Sequence, residues 1–347
     1  MELDVRALKN IIGKAPDKPI AIISIAGNYR SGKSFILGLF LQYLQNEGSD
    51  DWIDQPVQHS FKFSNSDEGV TSGIWMWSEP FIRRDKNGRQ VAIFLMDSQG
   101  WHDSKSTLRD NAKIFGMSAL LSSVMILNIE KRVTETDLQY LQNFSFNAKI
   151  IDERNNEEPF QKLVILIRDW ISTDDYPIGF YDDGSKIGGK DFVANKLNPK
   201  PDQTFEGQKL RELIYMDFEE VSACLLPHPG KIVGKNQYDS SRMDDEFRAA
   251  LEIVVPALFS PDTIITKKFA GQQLTGTELF SLAMKWKEDF KTKSNPGISS
   301  YLGSDETQYQ LALATALEYY YEKMKISVTS AETVEQIQHL LSEMKFE

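Results

Sequence analysis

The sequence has a single cysteine among its 347 residues, Cys224, which excludes a disulfide framework and suits a reducing compartment. Its four histidines lack the spacing of a metal site and are His59, His102, His228 and His339. No apolar run approaches the ~20 residues that a membrane-spanning helix needs, and the first residues do not resemble a signal peptide. We therefore expect no zinc site, and we expect the chain itself to be soluble.

The sequence also lacks a stripe of basic residues. Its 39 lysines and arginines are outnumbered by 50 aspartates and glutamates, which gives a net charge of −11. A protein that binds nucleic acid through the phosphates needs concentrated positive charge. This composition therefore argues against nucleic acid as the main partner, and the acidity needs no role beyond keeping the surface soluble.

The length and the patterning predict two units, since 347 residues exceed the usual size of one domain. Strand-like and helix-like segments alternate in the first third, which favours an α/β fold with a mixed, mostly parallel sheet. The strand candidates at residues 73–82 and 90–97 flank Asn87-Gly88, which predicts an antiparallel hairpin. Beyond residue 264 three amphipathic helical segments follow. We predict a large domain at residues 1–262, a linker at 263–276 and a small all-α helical bundle at 277–347.

One loop matches the phosphate-binding pattern G-x-x-x-x-G-K-[ST]. An apolar strand candidate at residues 20–25 precedes it, and a helical pattern follows it. In such loops main-chain N–H groups and a helix N-terminus surround phosphate. Lys33 is expected to neutralise the outer phosphates and Ser34 to bind Mg²⁺. The alternative is an ordinary strand–turn–helix that contains Gly-Lys-Ser by chance. The predicted nucleotide-binding residues of this segment are Gly27, Asn28, Tyr29, Arg30, Ser31, Gly32, Lys33, Ser34 and Phe35.

A second motif, Asp97-Ser98-Gln99-Gly100, ends an apolar strand candidate in the arrangement D-x-x-G. At this distance after a phosphate loop, Asp97 is expected to orient a metal-bound water and the Gly100 N–H to sense the γ-phosphate. Thr71 follows a polar loop, and loops ordered by the γ-phosphate are a common switch. The predicted Mg²⁺ ligands are therefore Ser34, Thr71 and Asp97. Without the other motifs, a strand that happens to end in Asp and Gly and a strand-edge threonine are the alternatives.

The pair Arg168-Asp169 ends another apolar run and indicates the base. Guanine presents two adjacent donors, N1–H and the 2-amino group, which one carboxylate accepts together. Adenine has an acceptor at N1 and leaves that carboxylate unpaired, so Asp169 favours guanine. The usual guanine motif N/T-K-x-D is absent, and a surface ion pair between Arg168 and Asp169 therefore stays open as the alternative.

Arg30 lies inside the phosphate loop. Phosphoryl transfer is catalysed by positioning and by cations placed where negative charge develops, and an arginine finger in cis serves this purpose. We predict catalytic roles for Arg30, Ser31, Lys33 and Thr71. The residue after the D-x-x-G motif is Trp101 instead of the glutamine that orients water in Ras-like enzymes. The water is therefore expected to be placed by loop main chain or by Ser31. A structural arginine is the alternative for Arg30.

Taken together, these motifs resemble the atlastin and guanylate-binding-protein branch of the dynamin-like GTPases, in which an arginine lies inside the phosphate loop and Arg-Asp replaces the usual guanine motif. The phosphate loop and residues 73–77 are closer to guanylate-binding proteins. Other stretches across the large domain are more similar to the cytosolic portion of atlastins, namely residues 103–110, 137–142, 168–170, 188–190 and 226–230.

The resemblance implies a P-loop GTPase domain that hydrolyses GTP to GDP and phosphate with Mg²⁺. It implies a homodimer that forms through the G domains when nucleotide is bound, and a helical bundle that swings against them. It implies tethering and homotypic fusion of endoplasmic reticulum tubules, with the protein on the cytosolic face of that membrane. In the family the arginine that matches Arg30 completes the site on dimerisation, and membrane segments follow the bundle. We expect membrane association through segments absent from this sequence.

Two other functions remain open at this stage. One is a soluble GTPase of the guanylate-binding-protein type, which would be recognised by GMP among its products. The other is a nucleotide-gated interaction module with little turnover, for which phosphate release would stay at background.

Overall fold

The computed structural model describes residues 4–29, 31–46, 49–55, 61, 73–100, 108–152, 160–179, 188–230 and 242–292. Its strands are β1 (Ile20–Gly27), β2 (Ile74–Met76), β3 (Phe81–Arg84), β4 (Gln90–Ser98), β5 (Val124–Glu130), β6 (Phe160–Arg168), β7 (Phe218–Leu225), β8 (Lys268–Phe269) and β9 (Gln272–Gln273). Its α-helices are α1 (Val5–Ile12), α2 (Lys33–Gln45), α3 (Leu108–Leu121), α4 (Glu135–Asp152), α5 (Gly188–Leu197), α6 (Phe205–Asp217), α7 (Asp245–Leu258) and α8 (Gly276–Thr292). No helix in these ranges is long and apolar enough to cross a membrane.

Seven of these strands form one mixed sheet with the order β2-β4-β1-β5-β6-β7, and β3 also pairs with β4. The five strands from β4 to β7 in this order are parallel to one another. In contrast, β2 and β3 are antiparallel to β4. Both α2 and α3 pack on β1, which is buried along its whole length, as is typical of a parallel strand covered on both faces. The predicted α/β fold with a mixed, mostly parallel sheet is confirmed.

The strand candidate at residues 73–82 is two strands in the structure. Met76 pairs with Met96 and Phe81 pairs with Ile93. The five residue steps from Met76 to Phe81 therefore face only three steps on β4, from Met96 to Ile93, and the regular pairing is interrupted between β2 and β3. Pro80 lies in the interruption, and proline has no N–H to donate to the ladder. The predicted antiparallel pairing and its turn are confirmed, because β3 and β4 join through a hydrogen bond from Asp85 N–H to Arg89 O of 2.9 Å.

The residues predicted as a linker run along the amino ends of the central strands. Lys267 N–H donates to Ile20 O at 2.6 Å, and Ile20 N–H donates to Leu274 O at 3.1 Å. The helix α8 that follows packs against α1, α3 and α4. Four apolar residues of this helix are buried, namely Leu279, Ala283, Trp286 and Phe290, as its amphipathic pattern predicts.

The chain divides into two compact units, Met1–Asn295 and Pro296–Glu347, and every described residue belongs to the first. The other two helices predicted for the bundle lie outside the described residues. The division into residues 1–262, 263–276 and 277–347 stays a prediction.

Cys224 gives a direct test of the core. It lies on β7 with 2% of its surface exposed, and burial raises the pKa of its thiol. Because the thiolate is the reactive form, we expect the folded chain not to react with Ellman's reagent at pH 8 and to react only as urea unfolds it. Absorbance against urea concentration measures this without background, since no other cysteine is present. Fast labelling in the absence of urea would contradict the buried position.

Candidate functional site

The sequence motifs meet at one edge of the sheet. The parallel strands β1, β4, β5 and β6 end there, with Gly27 beside Asn128 in the register of β1 and β5, and Glu130 beside Arg168 in that of β5 and β6. The D-x-x-G motif begins at the same edge with the last two residues of β4, Asp97 and Ser98. Ligand sites of open α/β sheets lie outside the carboxyl ends of the strands. The phosphate-loop, D-x-x-G and Arg-Asp motifs are therefore together in the fold.

The phosphate loop connects β1 to α2. Gly32 is the N-cap of α2 with a φ of +77°, a conformation that favours glycine. Across the loop, Ser31 N–H donates to Asn28 O at 3.3 Å, and the Lys33 Nζ donates to the same carbonyl at 2.9 Å. Both hydrogen bonds therefore join residues after position 30 to Asn28 before it. Arg30 itself lies outside the described residues.

Lys33 is a buried cation at the start of α2, with 6% of its surface exposed. Burial lowers the pKa of Lys33 to about 8, with a smaller contribution of the same sign from Arg168, whereas Asp97 raises it. An anionic group beside the amine would favour the ammonium form. A phosphate bound beside Lys33 would therefore stabilise the charged form of its amine.

Ser34 and Asp97 are the predicted metal ligands within the described residues, and they meet. The Ser34 hydroxyl donates to Oδ2 of Asp97 at 2.5 Å, and Asp97 is buried. Mg²⁺ prefers oxygen ligands and is usually bound by one or two protein groups together with substrate phosphates. The pair therefore fits Mg²⁺ bound with a nucleotide, and Thr71 lies outside the described residues.

Gly100 packs directly on the phosphate loop. A Cβ added to Gly100 would lie 2.4 Å from Tyr29 Cα and 2.9 Å from Lys33 Nζ. Real Cβ atoms do not approach other atoms this closely, so this contact requires glycine. The structure thus brings the end of the D-x-x-G motif against the loop that would hold the phosphates.

Arg168 and Asp169 form a largely buried pair, with 16% and 14% of their side chains exposed. Their closest atoms, Nη1 and Oδ2, are 3.7 Å apart, too far for a hydrogen bond. Among the described residues, Asp169 Oδ1 and Arg168 Nε have no hydrogen-bond partner although both atoms are buried. Burial lowers the pKa of Arg168, whereas the nearby charges of Asp169 and Glu130 raise it. A buried acceptor without a donor fits a ligand that supplies donors.

The Arg-Asp pair is adjacent to the phosphate loop on one side and to the loop after β7 on the other. The Arg168 Nη1 would lie 3.6 Å from a Cβ at Gly32. On the other side, Trp170 N–H donates to Leu226 O at 3.0 Å. The pair therefore lies between the phosphate loop and the loop after β7.

One predicted contact is modified by the geometry, and one contact was not predicted. The Phe35 ring is buried and stacks on Phe247 with ring centroids 6.4 Å apart, so Phe35 can offer a nucleotide only its main chain. Asn128, in contrast, was missed by the sequence analysis. Its Nδ2 donates to Ser31 O at 2.7 Å and to Ser31 Oγ at 2.8 Å. The available signal was an amide in an otherwise apolar strand, residues 124–129.

Comparison with known proteins agrees with this geometry. A family model described as "Guanylate-binding protein, N-terminal domain" matches residues 1–268. The chain belongs to this family, and within it to the atlastin-type GTPases. Atlastin-1 of Bos taurus is 35% identical over 333 residues, which are 93% of this chain. Atlastin-2 of Homo sapiens is 34% identical over 93% of this chain, and atlastin of Drosophila melanogaster is 34% identical over 89%.

The chain spans somewhat more than half the length of these atlastins, 58% of the Bos taurus and Drosophila melanogaster proteins and 56% of the Homo sapiens protein. The family match covers the sheet and the whole of the site described above. The expected family, a dynamin-like GTPase of the atlastin and guanylate-binding-protein branch, is confirmed.

Proposed function

We propose that this chain binds GTP and hydrolyses it to GDP and phosphate with Mg²⁺, and that hydrolysis is coupled to homodimerisation through the G domain. The observation that carries the choice of GTP is the buried Asp169 carboxylate, with Oδ1 lacking a donor among the described residues, next to a phosphate loop. One carboxylate oriented in this way suits the two donors of guanine. The family membership of the chain supports the same nucleotide.

The phosphates would be bound by the loop and by the start of α2. Main-chain N–H groups at a helix N-terminus favour anions, and Lys33 adds a buried charge beside them. Arg30 and Ser31 keep their predicted catalytic roles, Arg30 by stabilising charge on the β–γ bridge and Ser31 by helping to place the attacking water. Gly100, packed on Tyr29, would sense the γ-phosphate through its N–H.

The metal would be held by Ser34 and Asp97, with Thr71 as the third predicted ligand. When bound, Mg²⁺ neutralises charge on the β- and γ-phosphates during transfer. The Ser34 hydroxyl is already positioned by its hydrogen bond to Asp97. Asp97 is fixed in turn by the strand β4, where it pairs in register with Ile25.

For the whole protein we propose the membrane role that the resemblance implies. Loaded G domains on two membranes would dimerise head to head, tether the membranes and promote homotypic fusion of endoplasmic reticulum tubules from the cytosolic face. Membrane attachment would come from segments outside this sequence. Nucleic acid has no part in this proposal.

The coupling of nucleotide and dimer is tested by light scattering after gel filtration. We expect the mass of one chain without nucleotide, and of two chains with GDP and aluminium fluoride, which together mimic the transferring phosphoryl group. Lys33→Ala is the matched control, because it removes the buried cation beside the phosphates and should stay monomeric. One chain under every condition would contradict the proposed dimer.

The matched family model favours one second candidate, a guanylate-binding-protein type of activity. Chromatography of the products separates the two. GDP as the only nucleotide product supports the atlastin type, and GMP in addition to GDP supports the guanylate-binding-protein type.

A further inference from the structure

The residue before Gly100, Gln99, joins the D-x-x-G motif to the start of β2 by two hydrogen bonds. Gln99 N–H donates to Gly73 O at 2.8 Å, and Gly73 N–H donates to Oε1 of Gln99 at 2.9 Å. Gln99 is buried, with 8% of its surface exposed. Because a main-chain N–H can only donate, the second bond fixes which end of the amide is the oxygen.

This pair continues the antiparallel ladder of β2 and β4. Ile74 pairs with Ser98, so Gly73 and Gln99 are the next two residues in register. A hydrogen-bonded antiparallel pair normally exchanges two main-chain bonds. Here one of them is made by the Gln99 side chain in place of its main-chain carbonyl. The ladder is therefore extended by one pair beyond Ile74 and Ser98.

The next residue, Gly100, lies against the phosphate loop. A Cβ on Gly100 would lie 2.7 Å from Tyr29 N and 2.9 Å from Lys33 Nζ, so small displacements of Gly100 change its distance to the groups around the phosphates. Gly73, on the other side of the pair, has a φ of +76°, which favours glycine and lets β2 begin at this point. The side chain of Gln99 therefore fixes two main-chain segments at once.

We propose that Gln99 is a positioning residue for the γ-phosphate: its side chain holds β2 to the D-x-x-G motif, keeps Gly100 against the phosphate loop, and so sets the preference for GTP over GDP. This inference rests on the proposed function, since it assigns Gly100 to the γ-phosphate. GDP lacks that phosphate. The contribution of Gln99 is therefore expected in triphosphate affinity and turnover, whereas GDP affinity does not depend on it.

The test compares Gln99→Leu, which removes the acceptor for Gly73 N–H, with Gln99→Glu, which keeps an acceptor oxygen at the same distance along the side chain. Affinities for GDP and for a non-hydrolysable GTP analogue are measured by nucleotide fluorescence, and turnover by phosphate release. We expect Gln99→Leu to weaken analogue affinity relative to GDP, and to slow turnover, by about tenfold each, which corresponds to ~1.4 kcal/mol. Gln99→Glu is expected to recover only part of both values, because it keeps the acceptor for Gly73 N–H but adds a negative charge near the phosphates.

A matched control is Gln208→Leu. Gln208 Nε2 also makes two hydrogen bonds, to Lys200 O at 2.9 Å and Gln203 O at 3.1 Å, in the turn before α6. This control is expected to lower thermal stability without changing the ratio of analogue to GDP affinity. If Gln99→Leu does not fold, Gln99→Asn replaces it, because its shorter side chain keeps the amide but cannot reach Gly73.

The possible outcomes separate this inference from the proposed function. An unchanged chain that neither binds nor hydrolyses GTP overturns the proposed function. If the unchanged chain is active, the role of Gln99 alone is overturned when Gln99→Leu, or the Gln99→Asn variant that replaces it, leaves the ratio of analogue to GDP affinity unaltered or lowers both affinities equally.

Discussion

Asp169→Asn is expected to weaken GTP binding by at least ~100-fold, since a polar pocket strongly rejects a ligand that leaves its groups unpaired. The same variant should gain affinity for xanthosine triphosphate. Xanthine carries a carbonyl where guanine carries the 2-amino group, and the asparagine amide can donate to that carbonyl while its oxygen accepts from N1–H. Competition of unlabelled nucleotides against a fluorescent GDP or XDP measures both effects.

The control for this exchange is Asp174→Asn. Asp174 is exposed and lies five residues further along the chain, so it carries the same charge change without the buried position. Its nucleotide preference should equal that of the unchanged chain. Loss of GTP affinity in Asp169→Asn without any gain for the xanthine nucleotide would favour the ion-pair interpretation, in which Asp169 only stabilises the buried Arg168.

The second large effect is expected for Arg30→Ala. An arginine finger contributes about 10³-fold or more to phosphoryl transfer, so turnover should fall by that order while GDP affinity changes by no more than about threefold. Arg30→Lys should recover only a small part, because an ammonium lacks the planar fork that spans two phosphate oxygens. Phosphate release at saturating GTP, together with GDP affinity, separates catalysis from binding.

Arg132→Ala serves as the control for this loss of charge. Arg132 is exposed after β5 and belongs to none of the motifs, so its removal should leave turnover unchanged. Turnover per chain should also rise with protein concentration in the unchanged chain if dimerisation completes the site around Arg30. Equal turnover in Arg30→Ala and in the unchanged chain would remove the finger assignment and leave the nucleotide site intact.

The agreement between sequence and structure is greatest where the signal is local. The apolar run before Gly27, the glycines of the phosphate loop and the helical period after it lie within one short stretch, and each depends on neighbouring residues. The same holds for the Asn87-Gly88 turn. The apolar pattern of residues 73–82 predicts one strand, whereas the structure has two, because Pro80 has no N–H to donate to the ladder.

The candidate site also contains both contacts that local motifs predict and contacts that they do not. Ser34 and Asp97 were paired from their motifs, and their hydrogen bond agrees with that pairing. Asn128 was not identified, because its amide contacts Ser31 across 97 residues of sequence. A strand pattern gives no sign of which loop lies beside the end of that strand.

Residue patterns alone are enough to predict the chemistry: a phosphate loop, a D-x-x-G motif, a carboxylate suited to guanine and the family that combines them. These predictions follow from residue types at short spacing, because a loop that surrounds phosphate needs glycines and a cation within a few residues. The contacts by which the motifs support one another are visible only in the folded chain. The order of the parallel strands places Asn128 against Ser31, Arg168 against Gly32 and the Gln99 side chain in the ladder of β2. Such contacts depend on which strand ends are neighbours, and that is settled by the packing of the whole sheet.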